Sequence, residues 1–300
     1  MRSLLLGVLV ASTLEACQAS NHAAIDSGDP GDANSVIDAA STTDAGRDYS
    51  TDRTHFFGTS RCASLGALLC DDFESGTIDT TRWSLVGKAP VIDTMQAARG
   101  THALHIHMLA SGTSTTANGA SYLKNTKLFP ALKGAYYARA FIYFSHLPAG
   151  TEYAHWTAFA STTSLGEIRL SGQYQNSKSL WGAGTDSGTN MTTGTGDWTT
   201  NDNDPVGSPR AVPTGEWMCI EWMHDSTNDT TAFWWDATEH ASLRTTTTKH
   251  GGNTNPYTIP DLTGVWFGWQ EYQPRVNSPQ EYEAWIDEIA VDTKRIGCVD

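Results

Sequence analysis

The residues best suited to moving a proton and holding a carboxylate lie in three short segments that read as strands. Side chains along a strand alternate with period two, so Glu167, Arg169, Ser171, Gln173 and Gln175 share one face of 167–175, and Ile168, Leu170, Gly172 and Tyr174 the other. The first face is wholly polar. Arg169 and Gln173, four residues apart and therefore on the same side, can hold a carboxylate or sugar hydroxyls. Just upstream, 154–160 reads as the preceding strand, and His155 within it is the best proton-transfer candidate among the 10 histidines. Near the C-terminal end, 265–273 places Trp266, Gly268, Gln270 and Tyr272 on one face. A blander reading remains open beside this one: the wet side of an antiparallel sheet, with His155 packed beside Trp156, Arg169 paired with Glu167 or Glu221, and Tyr272 at a rim.

Other residues compete for chemistry. His105 and His107, two apart on a strand, fall on one face and rival His155; a transition metal would suit them, but no third ligand stands nearby in the sequence. A paired-carboxylate glycosidase is the main enzymatic rival, supported by Glu216, Glu221 and Glu271, although Glu216 and Glu221 have opposite parity on one strand. The chain has neither a Glu-x-Asp-x-x-Glu signature nor a Gly-x-Ser-x-Gly elbow.

The elements that must position these residues are strands. The 300 residues are rich in Thr, Ser, Gly and Trp and contain no convincing long amphipathic helix; short alternating segments are broken by Gly, Asn, Asp and Pro. In 136–144, Ala138, Ala140, Ile142 and Phe144 face one way and Tyr137, Arg139, Phe141 and Tyr143 the other. Segments 216–223 and 231–236 read as neighbours joined by a turn at 225–229. In 101–108, Leu104, Ile106 and Met108 face inward, His105 and His107 outward. The Gly- and Thr-rich stretch 182–213 is too long for a simple turn and is expected to wall a groove.

The formal net charge of −14 argues against nucleic acid or an anionic membrane surface as partner. Residues 1–17 read as an export signal, with Arg2 ahead of the apolar run 4–10, and Leu14-Glu15-Ala16-Cys17 resembles a bacterial lipobox, in which Cys17 would carry the lipid. Ordinary cleavage and secretion is the alternative; a lipid anchor would be the only membrane attachment. Residues 18–58, poor in large apolar side chains, read as a disordered acidic linker, and 59–300 as the folded domain, taken to be a monomer. With Cys17 set aside, Cys62, Cys70, Cys219 and Cys298 read as two disulfides of an exported protein, with three pairings open.

Three blocks carry a family resemblance. They are Cys70-Asp-Asp-Phe-Glu74 followed by Trp83; Gly215-Glu-Trp-Met-Cys-Ile-Glu-Trp222 followed by Phe233-Trp-Trp-Asp236; and Trp285-Ile-Asp-Glu-Ile-Ala-Val-Asp292 with the closing Arg295-Ile-Gly-Cys298. Together they resemble the core domain of the cellulose-induced extracellular proteins of fungi and bacteria, which is similar in fold to glucuronan lyases and other jelly-roll polysaccharide lyases. The resemblance covers roughly 62–300. It implies an all-β, concanavalin-like jelly roll of two antiparallel sheets, and a structural Ca²⁺ near Glu74, Thr101 and Asp287. It implies polysaccharide as the partner, and β-elimination on uronic-acid chains as the reaction. Tyr272, in the matching place on the penultimate strand, would be the acid or both acid and base; His155, Arg169 and Gln173 complete the set, with Trp266 and Gln270 as substrate contacts. Arg139, Arg169 and Lys178 would make the groove locally basic. A non-catalytic carbohydrate-binding module of the same fold is the alternative.

Overall fold

The computed structural model describes residues 46–108, 119–147, 154–175, 178–186, 197–200, 210–250, 256, 258–272 and 281–300, and for 154, 155, 175, 186, 197–200 and 272 the backbone alone. The signal segment, Cys17, most of the acidic linker and much of the 182–213 stretch lie outside the described residues.

The described residues form fifteen strands: β1 (Leu69–Asp71), β2 (Ser84–Gly87), β3 (Val91–Asp93), β4 (Ala103–Met108), β5 (Ala120–Asn125), β6 (Ala135–His146), β7 (Ala154–Thr163), β8 (Gly166–Gln175), β9 (Lys178–Asp186), β10 (Asp197–Thr200), β11 (Trp217–Asp225), β12 (Thr230–Trp235), β13 (Thr238–Glu239), β14 (Leu262–Tyr272) and β15 (Tyr282–Asp292). They build two antiparallel sheets. One has eight strands, in the order β13-β12-β11-β6-β15-β4-β3 with β1 added on β15; the other has seven, in the order β10-β9-β8-β7-β14-β5-β2. This is the expected jelly-roll sandwich. The long polar stretch is not all loop: its first residues extend β9 to Asp186, and Asp197–Thr200 add the edge strand β10.

Strand alternation places the core. Ala138, Ala140, Ile142 and Phe144 of β6 meet Trp156, Phe159, Leu170 and Phe267 of the seven-stranded sheet in one large buried cluster. It is heavily aromatic; Trp222 of β11 stacks on Phe159 of β7 at 4.8 Å between ring centres. One polar thread crosses it. Trp222 Nε1 donates to the Tyr136 hydroxyl (3.2 Å), which shares a hydrogen bond with Ser161 Oγ (2.6 Å), itself 2.6 Å from His224 Nδ1. Burial drives the His224 pKa down to about 3, so this Ser–His pair is a neutral tie between the sheets and not a sealed nucleophile.

β7 holds one residue more than β8 between Thr157 and Phe159, a β-bulge. Because of it Trp156, Ala158 and Phe159 all join the core. Trp156 lies over Gly172 of β8, where a Cβ would stand 1.9 Å from its ring.

The domain starts earlier than the sequence suggested, and residues from Ala45 onward form one compact unit with the rest. Sparse anchors hold the leading segment. Arg47 pairs with Asp292 (2.9 Å), Arg53 with Asp236, and Phe56 is fully buried in a second small core with Phe141, Cys219 and Cys298. The pairing of the cysteines is settled as Cys62–Cys70 and Cys219–Cys298. Among the described residues no helix is long and apolar enough to cross a membrane.

The close seat of Trp156 generates a stability prediction. Gly172→Ala drives a methyl into the indole, and urea unfolding is expected to show a loss of about 1–3 kcal/mol, the usual cost of overpacking a tight core; a variant as stable as the parent would show that Trp156 can shift away.

Candidate active site

In an antiparallel ladder directly opposed residues share a face, with Cβ atoms about 4.5–5.5 Å apart. On the outer face of the seven-stranded sheet this rule assembles three rows. The first runs Gly184–Arg169–Ala160–Trp266–Lys124 across β9, β8, β7, β14 and β5. The second runs Gly182–Ser171–Thr157–Gln270–Ala120. The third runs Leu180–Gln173–His155–Tyr272. Five of the residues singled out in the sequence as catalytic or substrate-binding on these strands, together with Trp266, therefore occupy consecutive rows of one face.

The rows differ in what they offer. Arg169 is half-buried, as is Glu167 two positions away. Ser171, Thr157 and Gln173 are buried, and the Thr157 and Ser171 hydroxyls hydrogen-bond at 2.9 Å. Gln270 is partly exposed, but its Oε1 is shielded from water and accepts no hydrogen bond, an acceptor left over within the second row. His155 and Tyr272 are directly opposed in the β7–β14 ladder, and His155 and Gln173 in the β7–β8 ladder; of the His155 and Tyr272 side chains the structure describes nothing.

Trp266 departs from its expected role. It is fully buried, donates Nε1 to Glu167 Oε1 (3.1 Å) and lies under Tyr122, with ring centres 4.4 Å apart. The partly exposed ring at this end of the face is Tyr122, which the sequence reading missed. The signal was present: in Tyr122-Leu123-Lys124 the buried Leu123 leaves its two neighbours outward. Burial and the charge of Glu167 raise the Tyr122 pKa, so it stays a neutral phenol. A glycine is required opposite it. A Cβ on Gly268 (φ +151) would lie 2.3 Å from the Ser121 carbonyl oxygen and 2.5 Å from Tyr122.

Arg139 is not part of this face. It lies on β6 of the other sheet, fully buried, with Nη2 on Glu288 (2.7 Å) and Nη1 on the Gly297 carbonyl (3.1 Å). Arg99 shares Glu288 and donates Nη2 to the Cys298 carbonyl (2.7 Å). These guanidiniums pin the C-terminal segment, so Arg139 has no surface on which to meet a substrate. Glu221 is likewise spent on Arg295 (2.8 Å) on that sheet, too far round the fold to pair with Arg169.

The expected calcium ligands hold a turn instead. Glu74 Oε1 accepts the amides of Thr101 (2.7 Å) and His102 (2.8 Å), and Oε2 the Thr101 hydroxyl (2.9 Å). Asp287 Oδ2 accepts the amides of Ala98 and Arg99, both at 2.8 Å, and Oδ1 that of Glu288 (2.6 Å). Burial pushes the Asp287 carboxyl up to about 7 against those amides. Gly100 (φ +69) lets the turn close on Glu74, since a Cβ there would stand 2.4 Å from Oε1. Calcium takes six to eight oxygens aimed at it, whereas both carboxylates here face N–H groups. As arranged, Glu74, Thr101 and Asp287 do not make a calcium shell. Among the described residues the only close grouping of three metal-ligand types is Cys62, Cys70 and Glu288, whose sulfurs are joined in the disulfide.

His105 and His107 do acquire further neighbours. His105 lies between Asp93 (2.7 Å) and Glu283 (3.1 Å), and His107 meets Glu281 (2.8 Å), all on the outer face of the eight-stranded sheet. They lie on the opposite side of the sandwich from His155.

No protein-family model matches the chain, and no curated protein matches it. Solved structures do. A cellulose-induced protein, Cip1, superposes with a TM-score of 0.50 at 21% identity, over 77% of this chain and 99% of its own. The non-specific endo-β-1,3(4)-glucanase SCLam, of family GH16, gives 0.48 at 16% identity over 79% and 94%. The alginate lyase Aly36B gives 0.41 at 9% identity over 83% and 93%. At these identities the likeness to the first is one of fold, and the other two add nothing to it.

Chelation checks the turn. EDTA is expected to leave the melting temperature within about 1 °C, because the Glu74 and Asp287 carboxylates are already satisfied by amides; a drop of several degrees reversed by calcium would show that an ion displaces the amides around Glu74 and Asp287.

Proposed function

We propose that this domain is an exported polysaccharide lyase that cleaves uronic-acid-containing chains by β-elimination on the outer face of the seven-stranded sheet. The observation that carries the reading is the Gln173–His155–Tyr272 row, with Arg169 four residues from Gln173 along β8 and two rows away on the same face. Acid, base and carboxylate-holding types are thereby confined to adjacent strands. Cip1 supports the fold of this reading. The two disulfides agree with export.

The reaction assigns the roles. A uronate C5 proton becomes removable when the neighbouring carboxylate is held by a cation and amide donors, which stabilise the charge that develops as the proton leaves. Arg169 is the cation, and the Gln173 amide lies behind it in the next row but one. His155 or Tyr272 takes the C5 proton. The C4–O bond breaks, Tyr272 returns a proton to the leaving oxygen, and a C4=C5 double bond remains on the new end. Atoms balance without water or a second reactant. Lys124, Arg169 and Lys178 occupy this face against Glu167 and the Asp186 position, so a polyanion meets a locally balanced surface on an acidic protein. Tyr122 over Trp266 gives the sugar a ring to lie against.

The experiment is spectrophotometric. The purified protein is incubated with glucuronan, alginate and pectin, and the ultraviolet absorbance of unsaturated uronates is followed. A rise is expected with at least one of them. Tyr272→Phe is expected to lower turnover by about 10²-fold or more, the usual share of a positioned proton donor, with substrate binding retained. No rise with any polymer, together with retention on a polysaccharide column, would leave a carbohydrate-binding module in place of the enzyme.

A further inference from the structure

A second row lies on the core side of the first. Glu271 opposes Trp156, Trp156 opposes Gly172, and Gly172 opposes Trp181. Each residue of the Tyr272–His155–Gln173–Leu180 row is thus one peptide from a residue of this inner row. The inner row is a wall of indoles. Trp156 packs against Trp181 at 5.1 Å and Trp269 at 5.8 Å, and Trp269 stacks on Tyr282 at 3.5 Å.

Glu271 is the one acidic position in that wall. Its backbone N–H is tied to the Gly119 carbonyl (2.9 Å), but its Oε1 is shielded from water and has no hydrogen-bond partner. β7 offers it Trp156, with His155 as the adjacent titratable group, and β5 offers Ala120 beside the Gly119 backbone. No described Asp, Glu, Lys or Arg acts on it, and burial alone pushes its carboxyl up to about 7. A neutral acid tolerates such a place; a carboxylate with an unsolvated oxygen does not.

We propose that Glu271 is a positioning residue for the reaction: as the neutral acid it lets the end of β14 lie on Trp156 with Tyr272 opposite His155, and its ionisation draws that end of the strand towards water and loosens the pairing. This rests on the lyase reading of the outer row. The ordinary value of the carboxyl is 4.5 and its folded value about 7. The stabilisation carried by the neutral form is therefore complete below 4.5 and is lost as pH rises through 7.

Wild type and Glu271→Gln are compared between about pH 5 and pH 9, following both uronate turnover and the backbone amide NMR signals of Trp156 and Tyr272. In the wild type the amides are expected to shift with a midpoint near 7, and turnover to fall about tenfold per pH unit above it, as a single ionisation requires. In the amide variant both effects disappear and alkaline activity is retained. Amides that do not titrate, or that titrate equally in the variant, overturn the proposal, as does turnover with the same pH profile in both proteins. Amides that titrate as expected with no turnover of any uronate polymer overturn the lyase reading and the positioning role with it, and leave Glu271 as a titrating strand anchor only. If Glu271→Gln does not fold, Glu271→Leu carries the same expectations.

Discussion

The extra residue in β7 is the constraint on which the site depends. From Ala160 on the outer face, strict alternation would turn Trp156 outward and His155 into the core. The bulge between Thr157 and Phe159 reverses that parity. Trp156 goes in beside Phe159, and His155 takes the row position between Gln173 and Tyr272. The register is held by burial. Exposing an indole of about 200 Å² at about 25 cal/mol per Å² would cost roughly 5 kcal/mol, much of a domain's net stability. Gly172, the one residue beneath the Trp156 ring without a side chain, allows the packing that exacts this cost. The inner tryptophan and the outer histidine are thus two consequences of one insertion.

The two outer faces of the sandwich serve different ends. That of the eight-stranded sheet is closed by the chain's own leading and trailing segments, through Phe56, the Cys219–Cys298 disulfide and the Arg99–Glu288–Arg139 cluster. Burial lowers the Arg99 pKa to about 10, so it remains charged, and breaking the cluster would strand a buried charge. That rigidity is structural. On the other sheet the polar groups are arranged in rows across adjacent strands. Cations and acids are near balance there, so selectivity for an acidic sugar would come from the placement of Arg169 and not from a general positive field.

Much of this was legible from period two alone. The inward set of β6, the pairing of β11 with β12, the outward His105 and His107, and the shared face of Trp266 and Gln270 all follow from alternation and appear as expected. What alternation cannot see is cover and insertion. Arg139 is outward by parity, as a solvated arginine would be; only residues distant in sequence bury it. Trp266 is outward too, but Tyr122 of a strand far upstream lies on it. The bulge left no mark, since Ala158 differs little from its neighbours. The acidic linker ended sooner than its composition suggested because a few anchors, Arg47, Arg53 and Phe56, suffice to dock a polar segment. Only a resemblance points to Glu74 and Asp287 as calcium ligands, and their contacts are with amides.

The central claim is that the outer face of the seven-stranded sheet receives the polysaccharide. Backbone amide shifts mapped during titration with a defined uronate oligosaccharide test it most directly. The account predicts perturbations concentrated on β5, β7, β8 and β14, strongest at Tyr122, His155, Arg169, Gln173 and Gln270. Perturbations confined to β3, β4 and β15 around His105 and Glu283 would place the ligand on the opposite sheet and contradict it.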